Sequence, residues 1–252
     1  MAEEKEKTTL TKFPNAEKAN KEAPGDAGLP GAFDLFKPSV RVIQNNLPAF
    51  LVLLAIPMVL LFIGQGPSLF KPTADSSLMP EGPFGAFLFL GYLATLLATP
   101  GVILLQIRGT HRETLSWQEA FSKGLNHVLR LLGLGILIAL ALTASFLLFI
   151  IPFFFVLPRL FMSPYYLIDR KMGIIESMKT SWHDYKTYKG IWGIIGVSIL
   201  LGLASIVPFI GWIITAVLTF LYSAAAAIRY EQIKNLAADK PARTPIEVDE
   251  SL

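Results

Sequence analysis

The chain has 252 residues, 53% of them hydrophobic and only 16% charged, with a mean hydropathy of +0.52 and a net charge of +3. A soluble domain carries about one quarter charged residues, so this composition excludes an ordinary water-soluble globule and points to the membrane class. The absence of cysteine excludes disulfides, a thiolate nucleophile and cysteine-based metal sites.

Residues 1–30 carry five lysines against six acids and almost no apolar periodicity. They read as a disordered tail, and no apolar stretch follows a basic start as a signal peptide would require. The next segment, from Asp34, predicts a short amphipathic helix beginning near Lys37, with Pro38 in its first turn. Six apolar stretches follow, at roughly 47–65, 83–107, 131–150, 152–168, 191–207 and 211–228. A helix of about 20 residues crosses a hydrocarbon core, and six spans put both termini on one side. The flanks on that side (31–46, 108–130, 169–189 and 229–234) hold 13 Lys and Arg, against one in the outer loop 66–82. The positive-inside rule then makes both termini cytoplasmic. Residues 235–252 read as a second disordered cytoplasmic tail.

The segments between the spans repeat. "EAFSKGLNHVLRLLG" runs 14 residues from Glu119 to Gly133, and "ESMKTSWHDYKTYKG" runs 14 from Glu176 to Gly190. Asp34 stands 14 before Pro48. Pro67, Pro152 and Pro208 follow those acids by 33, 33 and 32 residues. The expected fold is therefore all-α and polytopic: one membrane domain over 31–234, with units at about 31–108, 116–169 and 173–230. Each unit would comprise an amphipathic helix, a span, a proline turn and a returning span. Ser116 and Glu119 form a capping-box pattern. Trp117, Phe121, Leu125, Val128 and Leu129 then define one face of the second helix, while Ile174, Ile175, Met178, Trp182 and Tyr185 define one face of the third. Such helices lie in the interface plane. There they would either meet anionic lipid or cap the bundle, each Lys or Arg near an anionic surface being worth about 1 kcal/mol.

Arg159 stands out. It lies seven residues after Pro152 and ten before Asp169, which puts it near the middle of the fourth span at about 1.5 Å per residue. A charge there costs roughly 3 kcal/mol, and no expected span contains an acid to pair with it. Three roles stay open: donation to carbonyls freed by Pro152, Pro158 and Pro164; snorkelling to lipid phosphate; and binding an anionic ligand between units, with Lys186 and Lys189 nearby.

The order Ile-Pro152, Arg159, Tyr165, Glu176, Ser181, Lys189-Gly190, followed by "LYSAAAAIRYEQ", resembles a large group of small bacterial six-helix integral membrane proteins of unknown function. It is similar also to the six-helix membrane domain attached to some glycerophosphodiester phosphodiesterases. The likeness is strongest over about 150–232. No catalytic residues come with it, because the phosphodiesterase chemistry belongs to a separate soluble domain, so it implies a non-enzyme.

The three histidines have no metal-ligand spacing, and no nucleophile elbow, phosphate loop or dinucleotide fingerprint is present. The cluster Trp182–Lys189 fits an interfacial aromatic belt. The expectation is a non-catalytic multi-pass protein of the cytoplasmic membrane, without cofactor, metal or nucleic acid. Its partners would be membrane lipids, anionic ones among them, and a membrane protein, and its role envelope or lipid homeostasis or assembly. The alternatives are a transporter or channel for an anionic solute or lipid using Arg159, and a membrane-embedded enzyme acting on lipid headgroups at 169–189.

Overall fold

The computed structural model describes residues 29–70, 83–148, 150–187, 190–204 and 211–238. Among the described residues every regular element is helical. Four stretches are long and apolar enough to cross a membrane: Leu47–Gly64, Pro83–Thr110, Val128–Leu148 and Ile151–Asp169. The fifth and sixth expected spans are shorter, with α9 covering Ile191–Leu203 and α10 covering Gly211–Tyr222. At about 1.5 Å per residue neither reaches 30 Å by itself.

The chain order begins with a single 3-10 turn, Phe33–Leu35, which leads into α1, Phe36–Asn45. Pro38 lies in the first turn of α1, where its missing N–H costs nothing. Asn46 separates α1 from α2, Leu47–Phe70, and α3 returns over Pro83–Thr110. Then come α4, Trp117–Leu125, and α5, Val128–Leu148. The expected returning span 152–168 is two helices, α6, Ile150–Leu160, and α7, Ser163–Asp169, separated by Phe161 and Met162. Pro164 lacks the N–H that would donate to the Leu160 carbonyl, so the helical ladder cannot run through. After α8, Ile174–Thr187, and the pair α9 and α10, the described chain ends in α11, Ala225–Ala238.

Two expected proline turns are not turns. Pro152 sits in the first turn of α6, where an absent N–H breaks no bond, and Pro67 falls within the last turns of α2. Pro208 lies outside the described residues.

The three short helices α1, α4 and α8 share one way of packing. Leu35 and Ser39, Ala120 and Gly124, and Ser177 and Ser181 are all buried. These pairs fall one and five residues after Asp34, Glu119 and Glu176. The second member of each pair docks against the backbone of another helix. Ser39 Oγ donates to the Leu221 carbonyl of α10 at 2.7 Å. Ser181 Oγ donates to the Arg159 carbonyl of α6 at 2.6 Å. Gly124 lies so close to α3 that a Cβ there would stand 2.6 Å from Gly101 N. The buried face of α4 is thus its small residues, with Phe121 packed beside them, while Trp117 and Leu125 of the expected interfacial face are exposed. Only a small side chain lets two helix backbones come this close. Val128 and Leu129 belong to α5, because the chain turns at Asn126 and His127.

Candidate functional site

Arg159 is the penultimate residue of α6. It stands beside the later turns of α8, not midway along an uninterrupted span as its spacing suggests. Its guanidinium carbon lies 4.6 Å from the ring centre of Trp182, 5.6 Å from Tyr185 and 5.8 Å from Phe155. Rings at these distances attract a cation through their electron-rich faces. No acid among the described residues pairs with it, and its buried Nε has no hydrogen-bond partner. The guanidinium donates to none of the carbonyls freed by the prolines. Asp184, on α8, accepts instead from the Tyr166 hydroxyl. Lys189 and the Lys186 side chain lie outside the described residues.

A second polar cluster forms where α3, α7 and α11 converge. Tyr165 is buried and its hydroxyl donates to Gln106 Oε1 at 3.2 Å. Tyr230 stacks on Tyr165 at 5.8 Å, meets Tyr166 edge-on at 4.9 Å, and donates to Asp169 Oδ2 at 2.7 Å. Lys234 Nζ reaches the same Asp169 oxygen at 2.8 Å and Glu231 Oε1 at 3.3 Å. His111 Nε2 lies 3.3 Å from that Glu231 oxygen. Burial, then the bond to Asp169, pushes the Tyr230 phenol far above its usual range, so it stays a donor at neutral pH. Burial would lower Lys234, but Asp169 and Glu231 outweigh it and hold the ammonium above its ordinary value. Lys234 bridges the two acids, and the arrangement ties three helices together.

Sequence reasoning singled out Tyr165 and passed over Gln106, Tyr166, Tyr230 and Arg229. Arg229 is fully buried, donates from Nη2 to the Pro30 carbonyl at 2.8 Å, and lies against Gly190, where a Cβ would stand 3.2 Å from Nη1. The signal was in "SAAAAIRYEQ": Ala224–Ala227 are buried, and small residues draw a helix close enough for the following Arg, Tyr and Glu to be buried as well.

The repeated acids are helix-start ligands. Asp34 Oδ2 accepts from Gly31 N at 3.1 Å, and Glu176 Oε2 accepts from Gly173 N at 3.3 Å. At α4 the bond is made the other way. Glu119 N donates to Ser116 Oγ at 3.3 Å, while the Glu119 carboxylate pairs with Lys123 at 2.6 Å. Each relieves a backbone donor that has no partner in the first turn. A cleft of about 360 Å³ opens beside Asn45, Asn46, Thr114 and Ser116, and an apolar one of about 200 Å³ beside Val52, Pro57, Leu97 and Phe121, with Trp117 lining both. Neither is lined by Arg159.

The fold and these sites define the class, an α-helical protein in which four stretches among the described residues are long and apolar enough to cross a membrane. Comparison with family models, with curated proteins and with solved structures found no match for this chain.

Proposed function

We propose that this chain is a non-catalytic integral protein of the cytoplasmic membrane, with six spans in three repeated units and both termini in the cytoplasm. Its work is to hold anionic phospholipid, and a membrane partner, at its inner end in the service of envelope or lipid homeostasis. One observation carries this reading: the common register of α1, α4 and α8. Each buries a small residue five positions after its acid, Ser39, Gly124 and Ser181, and docks with it on a helix outside its own unit, α4 on α3, α8 on α6 and α1 on α10. Three units related in this way close a ring, the third receiving the first. The ring turns the charged faces outward, leaving Lys37, Arg41, Lys123, Arg130, Lys171 and Lys179 exposed. Such a collar attracts an anionic leaflet at about 1 kcal/mol per residue. The shorter α9 and α10 cross as the third pair on this reading, and the exposed Ile199, Leu200 and Val217 suit a lipid-facing surface.

The test is the lipid retained after purification in mild detergent, counted by native mass spectrometry. The wild type is expected to retain anionic over zwitterionic phospholipid. A variant with Lys37, Arg41, Lys123 and Lys179 changed to glutamine should lose that preference. Equal retention of both lipid classes by the wild type would remove the reading. Because the natural chain has no cysteine, single introduced cysteines report orientation cleanly. Ser122→Cys should react only from the cytoplasmic side and Ser77→Cys only from the other.

A further inference from the structure

We infer that Arg159 is the seat of one bound phosphate, the phosphodiester of an anionic phospholipid whose acyl chain lies along α6; this deepens the lipid-holding role proposed above. The argument begins with charge. Arg108 has Glu113 at 2.7 Å, Lys123 has Glu119, and Lys234 has Asp169 and Glu231. Arg159, in the most apolar surroundings of these, has no acid within pairing distance among the described residues. A guanidinium in a membrane helix is costly unless something anionic or strongly polar meets it.

The geometry leaves room for that group. The rings of Trp182, Tyr185 and Phe155 surround the cation at 4.6–5.8 Å and attract it, but none offers the lone-pair oxygen that its N–H donors bond best. A guanidinium presents five such donors in a flat fork that matches two phosphate oxygens. Among the described residues Nε is buried without an acceptor. Four residues further on, at the break between α6 and α7, Ser163 is fully buried and its Oγ also has no partner among them. Two unsatisfied polar groups one turn apart are costly in a native protein unless a ligand completes them.

The depth suits a headgroup. Arg159 lies level with Trp182 and Tyr185 on α8, whose other side exposes Glu176, Lys179 and His183 to water. Tryptophan and tyrosine gather at the membrane interface, where lipid phosphates lie. The rest of the ligand is indicated by α6 itself. Ile151 and Phe155 are 69% and 55% exposed and precede Arg159 by eight and four residues, so the three share one helix face. An apolar stripe leading to an unpaired cation fits an amphiphile with an anionic head. A free phosphate ion would leave that stripe unused.

The test titrates the purified protein in detergent with dihexanoyl phosphatidylglycerol, dihexanoyl phosphatidylcholine or inorganic phosphate, reading occupancy by native mass spectrometry. The wild type is expected to take one phosphatidylglycerol, at least about tenfold more tightly than phosphatidylcholine. Arg159→Leu should weaken it by about tenfold or more, and Arg159→Gln, which keeps the unbranched stem and a polar end without the charge, should do the same if the leucine variant fails to fold. Monodisperse elution establishes folding for each. Wild-type affinity in a folded variant overturns the site. Displacement of the lipid by inorganic phosphate at equal concentration overturns the lipid and leaves a soluble phosphate as the ligand. The collar variant should keep this single site intact, so its failure to change bulk lipid selectivity would sink the broader role without touching Arg159.

Discussion

Replacing Gly124 by alanine tests the docking on which the ring depends. A methyl group there would stand 2.6 Å from Gly101 N, 2.9 Å from Gly101 Cα and 3.2 Å from the Pro100 carbonyl carbon. All three are backbone atoms of α3, so no side chain can swing aside. Ordinary contact needs roughly 3.5 Å, and α4 must therefore back away from α3 by roughly 1 Å. That movement loosens Ala120, which is itself fully buried, with its carbonyl oxygen 3.1 Å from where a Gly101 Cβ would be. Overpacking of this kind costs about 1–3 kcal/mol, while the gain in helix propensity returns about 1 kcal/mol. The net is a loss of up to about 2 kcal/mol, or a fall in melting temperature of up to about 8 °C for a chain of this size. Thermal unfolding in detergent, followed by circular dichroism, measures it. Gly135→Ala on α5 is the control, since nothing lies within 4 Å of its added methyl, and it should hold or raise the melting temperature. If Gly124→Ala is as stable as the wild type, the close approach of α4 to α3 is not what fixes the short helix.

Two further outcomes follow from single contacts. Ser39 is fully buried, donates to the Leu221 carbonyl and accepts from Ala224 N at 3.2 Å. Ser39→Ala therefore strands a buried acceptor and a buried donor, and should cost about 1–3 kcal/mol in the same melts; no loss would mean that α1 is not held to the end of α10 by this clip. His127, in the turn between α4 and α5, is held below its ordinary value of 6.5 by burial, with Arg130 and Lys171 adding repulsion. A depressed folded value means that stability is fully present above about pH 6.5 and falls as the pH drops through the folded value. The melting temperature should thus decline on acidification below pH 6.5, and His127→Gln should flatten part of that decline, whereas identical slopes in the two proteins would exclude His127 as a source of it.

What the sequence determined alone follows from solvent and period. Long apolar runs with few charges can only be helices in hydrocarbon, where each backbone polar group must be satisfied within its own segment, and so the all-helical class and the four long spans were readable directly. The helix start at Ser116–Glu119 was readable because a cap is a local bond between residues three apart, whereas Asp34 and Glu176, which make such local bonds too, stood out only by their repeated spacing. The break between α6 and α7 was implicit in Pro164 but was merged into one span, because hydropathy is blind to a missing donor.

Tertiary structure decided which face of each short helix is buried. Amphipathic spacing marked Trp117, Phe121 and Leu125 as the interfacial face, and it took the fold to show that Ala120 and Gly124 dock on α3, because only a small residue permits so close a backbone approach. It also decided the surroundings of Arg159. Phe155 lies four residues before it and was readable from the sequence, but Trp182 and Tyr185 come more than twenty residues later, on a helix that only the fold sets alongside α6. The same holds for Tyr230, Lys234 and Asp169, which meet across more than sixty residues. Local hydrogen bonding and hydropathy act along the chain and are written in it, whereas the partner of a buried charge depends on which helices the packing brings together.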